Sequence, residues 1–156
     1  MRKAKFKKRQ LAPDPRYNSI LISQLINYVM KDGKKNTAKN IVYKALEIIE
    51  KKTKKSALEI LQLAIKNTSP LLEVKSKRVG GATYQVPYEV RHSRQTTLSL
   101  RWILQAARAK QGKTFDIFLS DEILNASQKT GSAIQKKENM HKMAEANKAF
   151  AHFARF

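Results

Sequence analysis

Apolar residues recur at intervals of three and four along most of the chain, the spacing that puts them on one face of an α-helix. About six stretches with this pattern predict helices, separated by polar, proline or glycine breaks. They cover approximately residues 18–32, 37–51, 56–69, 93–111, 114–130 and 132–156. The third and the last begin with capping-box spacing, Ser56 with Glu59 and Ser132 with Gln135, in which each side chain serves the other's free backbone amide.

Between the third and fourth predicted helices the apolar period shortens to two. Two alternating runs flank Gly80-Gly81, which is the pattern of a β-hairpin over about residues 72–90. Pro87 cannot donate to a neighbouring strand, so its strand is an edge or the pairing ends there. Because two strands alone are marginal in water, we expect helices or a ligand to support this hairpin. The predicted fold class is mainly α, with about six helices and a protruding β-hairpin between the third and fourth.

The first ten residues predict a flexible basic arm, followed by a single helical domain over residues 11–156. The arm carries six cations and no acid: Arg2, Lys3, Lys5, Lys7, Lys8 and Arg9. No run of 18 or more apolar residues follows, so we expect no segment that spans a membrane. The prolines at 13 and 15 separate the arm from the next apolar stretch, which argues against a secretory signal and favours an intracellular protein.

The charge balance narrows the class of partner. Among 156 residues, 32 are Lys or Arg and 12 are Asp or Glu, so the net charge is +20. A compact body with this charge repels itself, and a dense polyanion relieves that repulsion. Nucleic acid and an anionic membrane surface are the two candidate polyanions, and nucleic acid is favoured because the chain has no segment that spans a membrane. The absence of Cys excludes disulfides, cysteine zinc sites and thiol catalysis.

The cations are concentrated where acids are missing. Six of them and no acid lie between Val90 and Phe115. Arg94, Arg101 and Arg108 recur every seven residues, so on a helix they form one stripe with steps of about 10 Å. We favour a phosphate-binding stripe over a merely solvated face, because the planar arginine head can bind a phosphate through two hydrogen bonds.

The predicted hairpin combines cations with aromatic side chains. Lys75, Lys77 and Arg78 lie on its first strand, and Tyr84 and Tyr88 lie on its second. This combination allows phosphate pairing together with base stacking. The alternative, which the sequence leaves open, is that the tyrosines pack on the helices beneath. Two lysine pairs, at residues 34–35 and 136–137, add weaker signals.

Catalytic residues are scarce. His141 and Glu145 share one helix face, but a surface salt bridge between them is favoured over a metal site, because a metal site needs further ligands. We therefore expect no enzyme activity, no cofactor and no bound metal. An RNA-processing enzyme remains the least favoured class.

The chain resembles the bacterial form of small-subunit ribosomal protein seven. The resemblance covers almost the whole sequence in order and includes a highly specific string over the hairpin. It rests on Pro13-Asp14-Pro15, Asp32-Gly33-Lys34-Lys35, SLRW at 99–102, EVKSKRVGGATYQVPYEVR at 73–91 and HKMAEANKAFAH at 141–152. The chain departs from the family pattern at His92, Gln95, Gln135 and its last four residues, which weakens the transfer of individual contacts there.

The resemblance implies a structural, non-catalytic protein that binds small-subunit ribosomal RNA (rRNA) directly and nucleates assembly of the head. It implies a position at the subunit interface near the decoding centre, the messenger RNA path and the tRNA exit site. Implied partners are small-subunit proteins nine and eleven, without self-association in the assembled state. A basic nucleoid-type DNA-binding architectural protein is the alternative, because such proteins also join helices to a basic hairpin.

Carried over by position, the resemblance implies rRNA contacts along several elements. Besides the arm, these are Lys34, Lys35, Lys75, Lys77, Arg78, Arg91, Arg94, Arg101, Arg108, Lys113, Lys136, Lys137 and Lys142. The hairpin tip is expected near the tRNA exit site. Its residues are Arg78, Gly80, Gly81, Thr83 and Tyr84.

Overall fold

A computed structural model describes residues 11–155, so the predicted basic arm and the final residue lie outside the described part. Helices account for most of it, with one two-stranded antiparallel sheet between the third and fourth helices, as predicted. The elements are α1 (Ile20–Val29), α2 (Lys35–Thr53), α3 (Ala57–Thr68), β1 (Leu72–Val79), β2 (Ala82–Glu89), α4 (His92–Ala109), α5 (Phe115–Ser127), α6 (Ser132–Ala146) and a 3₁₀ helix (Lys148–Arg155).

One buried apolar cluster draws residues from all six α-helices. Helix α5 lies at its centre and packs against α2, α3 and α4. Its Leu119 is fully buried, as are Leu25 of α1, Leu46 of α2, Leu61 of α3 and Leu100 of α4. Removing such side chains from water stabilises the fold by about 1.5–3 kcal/mol each, before entropy is counted. Among the described residues, no helix is long and apolar enough to cross a bilayer.

The hairpin pairs as its alternation predicts. Its register runs from Leu72 opposite Glu89 to Val79 opposite Ala82. Gly80 and Gly81 form the turn with φ of 56° and 91°, a conformation that side chains with a Cβ rarely adopt. Of the two possibilities for Pro87, the edge strand is confirmed and the end of the pairing is wrong, because Pro87 lies opposite Val74 within the ladder. In a sheet of two strands each strand keeps a free edge, so a missing N–H is tolerated there.

The last helix is shorter than its pattern predicts. Helix α6 ends at Ala146, where Asn147 donates from both its backbone and its side chain to the carbonyl of Met143. A 3₁₀ helix follows, in which residues three apart lie on the same side. Its Phe150 and Phe153 both contact Tyr84 of β2, with ring centres 5.2 and 5.1 Å away. The hairpin is thus supported by the C-terminal segment as well as by α6.

Neither predicted capping box forms. Ser56 does precede α3, but its side chain makes no capping hydrogen bond. Ser132 lies inside α6, and Gly131 occupies the capping position. The amide of Ala133 instead donates to Oε1 of Glu122 at 3.2 Å. The tertiary packing therefore places a carboxylate of α5 at the start of α6, where it accepts a hydrogen bond and where the helix dipole favours negative charge.

Candidate nucleic-acid interface

Helix α4 carries the predicted arginine stripe and contains no acidic residue. Arg94, Arg101 and Arg108 are all exposed, and each also contacts a neighbouring element. The Arg94 Nε lies 3.3 Å from a Glu73 carboxylate oxygen, and the Arg101 guanidinium carbon lies 5.8 Å from the centre of the Tyr28 ring. Nη2 of Arg108 donates to the carbonyl oxygens of residues 28 and 29 at the end of α1. The stripe is therefore held in place by internal contacts while its heads remain open to solvent.

Glu73 anchors the base of the hairpin to this stripe. Its nearly buried carboxylate pairs with Lys75 at 2.8 Å and with Arg94 at 3.3 Å. Burial by itself would raise the pKa of Glu73, but hydrogen bonds and charges from these two cations outweigh it, so the pKa lies below its ordinary value. The ammonium of Lys75 also lies 5.3 Å from the centre of the Tyr88 ring. Two predicted phosphate-binding cations thus share one internal carboxylate.

The hairpin cations differ in how closely they contact the rest of the protein. Arg78 at the tip is exposed, together with Gly80, Gly81 and Thr83. Lys77 donates to the carbonyl oxygen of Phe153 at 2.9 Å. Tyr84 packs in the aromatic cluster with the 3₁₀ helix, which supports the alternative that this tyrosine packs within the protein.

The remaining predicted cations fall into two groups. Lys34, Lys35 and Lys113 are exposed near the turns that begin α2 and α5. On α6, Lys142 is exposed, whereas Lys136 and Lys137 are half-buried. Lys137 donates to the carbonyl oxygen of Asn67 at 2.6 Å. Arg91 is exposed at the start of α4.

The structure brings part of the predicted set together around one cleft. Lys34, Arg108 and Lys113 come from three different loops or helix ends and line the same hollow. Lys31 and Lys110 complete its cationic lining and were missed as site residues. No periodicity could have identified Lys31, because its proximity to Lys113 depends on how α1 packs against α4 and α5.

Asp14 is a third residue whose role the residue pattern did not predict. It is buried and accepts hydrogen bonds from the backbone N–H groups of Arg16 and Tyr17, and from the hydroxyl of Tyr43. Burial and the neighbouring carboxylate raise the pKa of Tyr43 to about 12, so its hydroxyl keeps its proton. This contact ties the segment that precedes α1 to α2.

The predicted salt bridge between His141 and Glu145 does not form. Glu145 lies 3.4 Å from the ammonium of Lys148. His141 Nε2 instead accepts a hydrogen bond from the Leu71 N–H at 3.0 Å, linking α6 to the start of the hairpin. Within residues 11–155, no group of three or more acidic, His or Cys side chains could hold a metal ion.

Acid is expected to destabilise the fold through His141. Burial lowers its pKa below the ordinary 6.5, and the charge of Lys137 lowers it further. At pH values between that lowered pKa and about 6.5, the unfolded chain binds a proton at His141 more readily than the folded chain does. The stabilisation that is present above this pH range is therefore lost as the pH falls through it. Thermal melts at about pH 7.5 and about pH 5 should show the loss. His141→Gln, which keeps an acceptor for Leu71, should show a smaller one; equal losses would contradict the assignment.

Sequence comparisons identify the family of this chain. The profile of the family described as Ribosomal protein S7p/S5e matches residues 1–148. The chain is 57% identical to small ribosomal subunit protein uS7 of Thermosipho melanesiensis over 98% of this chain and 99% of the relative. It is 54% identical to uS7 of Thermotoga maritima with the same coverage, and 53% identical to uS7 of Heliobacterium modesticaldum over 97% of each chain. The chain therefore belongs to the ribosomal protein S7p/S5e family, whose members are structural constituents of the small ribosomal subunit and not enzymes.

Proposed function

We propose that this protein binds small-subunit rRNA directly and nucleates assembly of the subunit head. The observation that carries the proposal is the acid-free surface of α4, which presents Arg94, Arg101 and Arg108 to solvent. Phosphate contacts account for a large share of nucleic-acid affinity, and a row of exposed arginines on a helix without acids provides them. The arm cations, which lie outside the described residues, are proposed to bind the RNA as well.

Specificity in this proposal comes from the shape of the RNA. The major groove of an A-form RNA helix is too deep and narrow for side chains to reach the bases. Proteins therefore recognise folded RNA through backbone geometry and unpaired bases. The internal contacts of the stripe support such recognition. Because Glu73 and the end of α1 hold Arg94 and Arg108 in position, the cations form a surface of defined shape.

A competition experiment tests this function against the DNA-binding alternative. Labelled rRNA from the head of the small subunit is bound to the full chain and challenged with unlabelled head rRNA or duplex DNA at the same salt concentration. We expect the rRNA to compete at a concentration at least about a hundredfold lower, since specific sites exceed non-specific ones by such factors. Equal competition by DNA would favour the nucleoid-type alternative.

The hairpin tip is proposed to lie near the tRNA exit site and the messenger path. Replacing residues 78–83 with Asn-Gly joins Lys77 to Tyr84, which face each other in the register, through a two-residue turn. We expect rRNA binding to fall by less than about tenfold, since Arg78 is the only cation removed. Subunits containing this variant should retain exit-site tRNA differently from unmodified subunits. Unfolding of the variant would count against a projecting tip.

In the assembled subunit we propose one copy of the chain on the cytoplasmic ribosome, next to small-subunit proteins nine and eleven. Cross-linking of purified subunits followed by mass spectrometry tests this arrangement. Cross-links to other small-subunit proteins but to neither of these two would refute it.

A further inference from the structure

A cleft of about 410 Å³ opens where the end of α1, the start of α2, the end of α4 and the start of α5 meet. Its wall is apolar and includes two aromatic residues, Phe115 and Phe118, beside Ile41. Both rings are only partly buried, because one side packs on the core while the cleft remains open. The volume falls within the range of about 300–1,000 Å³ that is usual for small-ligand sites.

Cations surround this apolar wall, and no acidic side chain lines the cleft. The five are Lys31, Lys34, Arg108, Lys110 and Lys113. Two have internal partners: Lys110 pairs with Glu122, and Arg108 donates to the carbonyls that end α1. Within residues 11–155, Lys31, Lys34 and Lys113 have no acidic partner. Three uncompensated charges therefore adjoin a hollow with aromatic walls.

We propose that this cleft holds one unpaired nucleotide of the bound RNA, with its base against Phe115 and Phe118 and its phosphates at Lys31, Lys34 and Lys113. The inference rests on the proposed function and specifies where one base is recognised. A nucleotide combines a flat face, which stacks on aromatic rings, with an anionic phosphate one sugar away. A base within a duplex cannot enter, because its faces are covered by its neighbours. The cleft therefore selects RNA with a bulged or looped-out nucleotide.

The proposal predicts different effects on RNA affinity from removing the aromatic rings and from removing the lysine charges. Phe115→Leu combined with Phe118→Leu keeps the apolar wall but removes both rings. Affinity for head rRNA should fall by about five- to tenfold with an unchanged salt dependence, because stacking releases no counterions. Lys34→Gln combined with Lys113→Gln should instead reduce the slope of log affinity against log salt by roughly two. Phe150→Leu removes a ring outside the cleft and serves as the matched control.

Photocross-linking locates the base directly. Head rRNA containing 4-thiouridine is bound to the full chain, irradiated and digested, and the cross-linked peptides are sequenced by mass spectrometry. We expect a cross-link to residues 114–118 that the double leucine variant loses and Phe150→Leu keeps. Thermal melts of each variant exclude unfolding as the cause of any loss.

The outcomes separate this inference from the proposed function. If head rRNA does not bind the unmodified chain, the proposed function fails. If it binds and cross-links elsewhere, and the leucine variant binds equally well, only the nucleotide site is overturned. A cross-link from the cleft to another small-subunit protein in reconstituted particles, with none to RNA, would also overturn it.

Discussion

Replacing Arg94, Arg101 and Arg108 with glutamine is expected to weaken binding to small-subunit rRNA by about a hundredfold near physiological salt. Each lost phosphate contact lowers the slope of log affinity against log salt by about 0.9, so three contacts reduce it by roughly three. All three side chains are exposed on one acid-free helix, so no other charge on α4 replaces them. Filter binding between about 50 and 200 mM salt measures both quantities.

The control for this prediction removes the same charge from another surface. Lys44, Lys51 and Lys55 are exposed on or just beyond α2 and lie outside the proposed interface. Their replacement with glutamine changes the net charge equally, so a general attraction to RNA would weaken by the same amount. We expect a much smaller effect on affinity and slope. An unchanged slope in the arginine variant would refute the stripe as a phosphate-binding site, provided that its thermal melt shows it is folded.

Glu122→Ala is expected to lower the free energy of unfolding by about 3 kcal/mol, the largest stability effect predicted for this chain. The Glu122 side chain is 1% exposed, and its Oε2 lies 2.8 Å from the ammonium of Lys110. Oε2 has no hydrogen bond of acceptable geometry, so we attribute this contact to charge pairing. Oε1 accepts the amide of Ala133 at the start of α6. Truncation removes both interactions and leaves a buried cavity. The estimate lies at the lower end for broken buried pairs because the Lys110 side chain, 33% exposed, can turn towards water.

The neighbouring residue provides a matched comparison. Asp121 pairs with Lys52 at a shorter distance, 2.6 Å, but these side chains are 34% and 49% exposed. Asp121→Ala should therefore cost less than about 1 kcal/mol, as surface pairs do. Glu122→Gln keeps an acceptor for Ala133 and should fall between the two alanine variants. Urea unfolding measures all three, and a larger cost at Asp121 than at Glu122 would contradict the importance of burial.

Local patterns predicted the elements of this fold well. The change from helical to alternating spacing predicted the hairpin, and Gly80-Gly81 marked its turn, because both signals depend on neighbours within a few residues. The same local rules failed at the capping box around Ser132. There the tertiary packing supplies Glu122, eleven residues before Ala133, as the acceptor for the Ala133 amide at the helix terminus.

The candidate interface shows the same division. The period of seven placed three arginines on one face of α4, but it could not show that Glu73 approaches Arg94 from another element, 21 residues away. Nor could it show that Lys31, Lys34 and Lys113 meet around an apolar cleft. The distances in space between such residues depend on how helices pack against one another rather than on the periodicity of a single helix.

By itself, the sequence determined the helical class, the hairpin, the excess of positive charge and, through its motifs, the family. These follow from side-chain periodicity and composition, which need only local geometry and arithmetic. Only the tertiary structure decided which cations have internal partners, which line one cleft and which carboxylate begins α6. A charge acts through its distance from other charges, and for residues distant in sequence the packing of the core sets that distance.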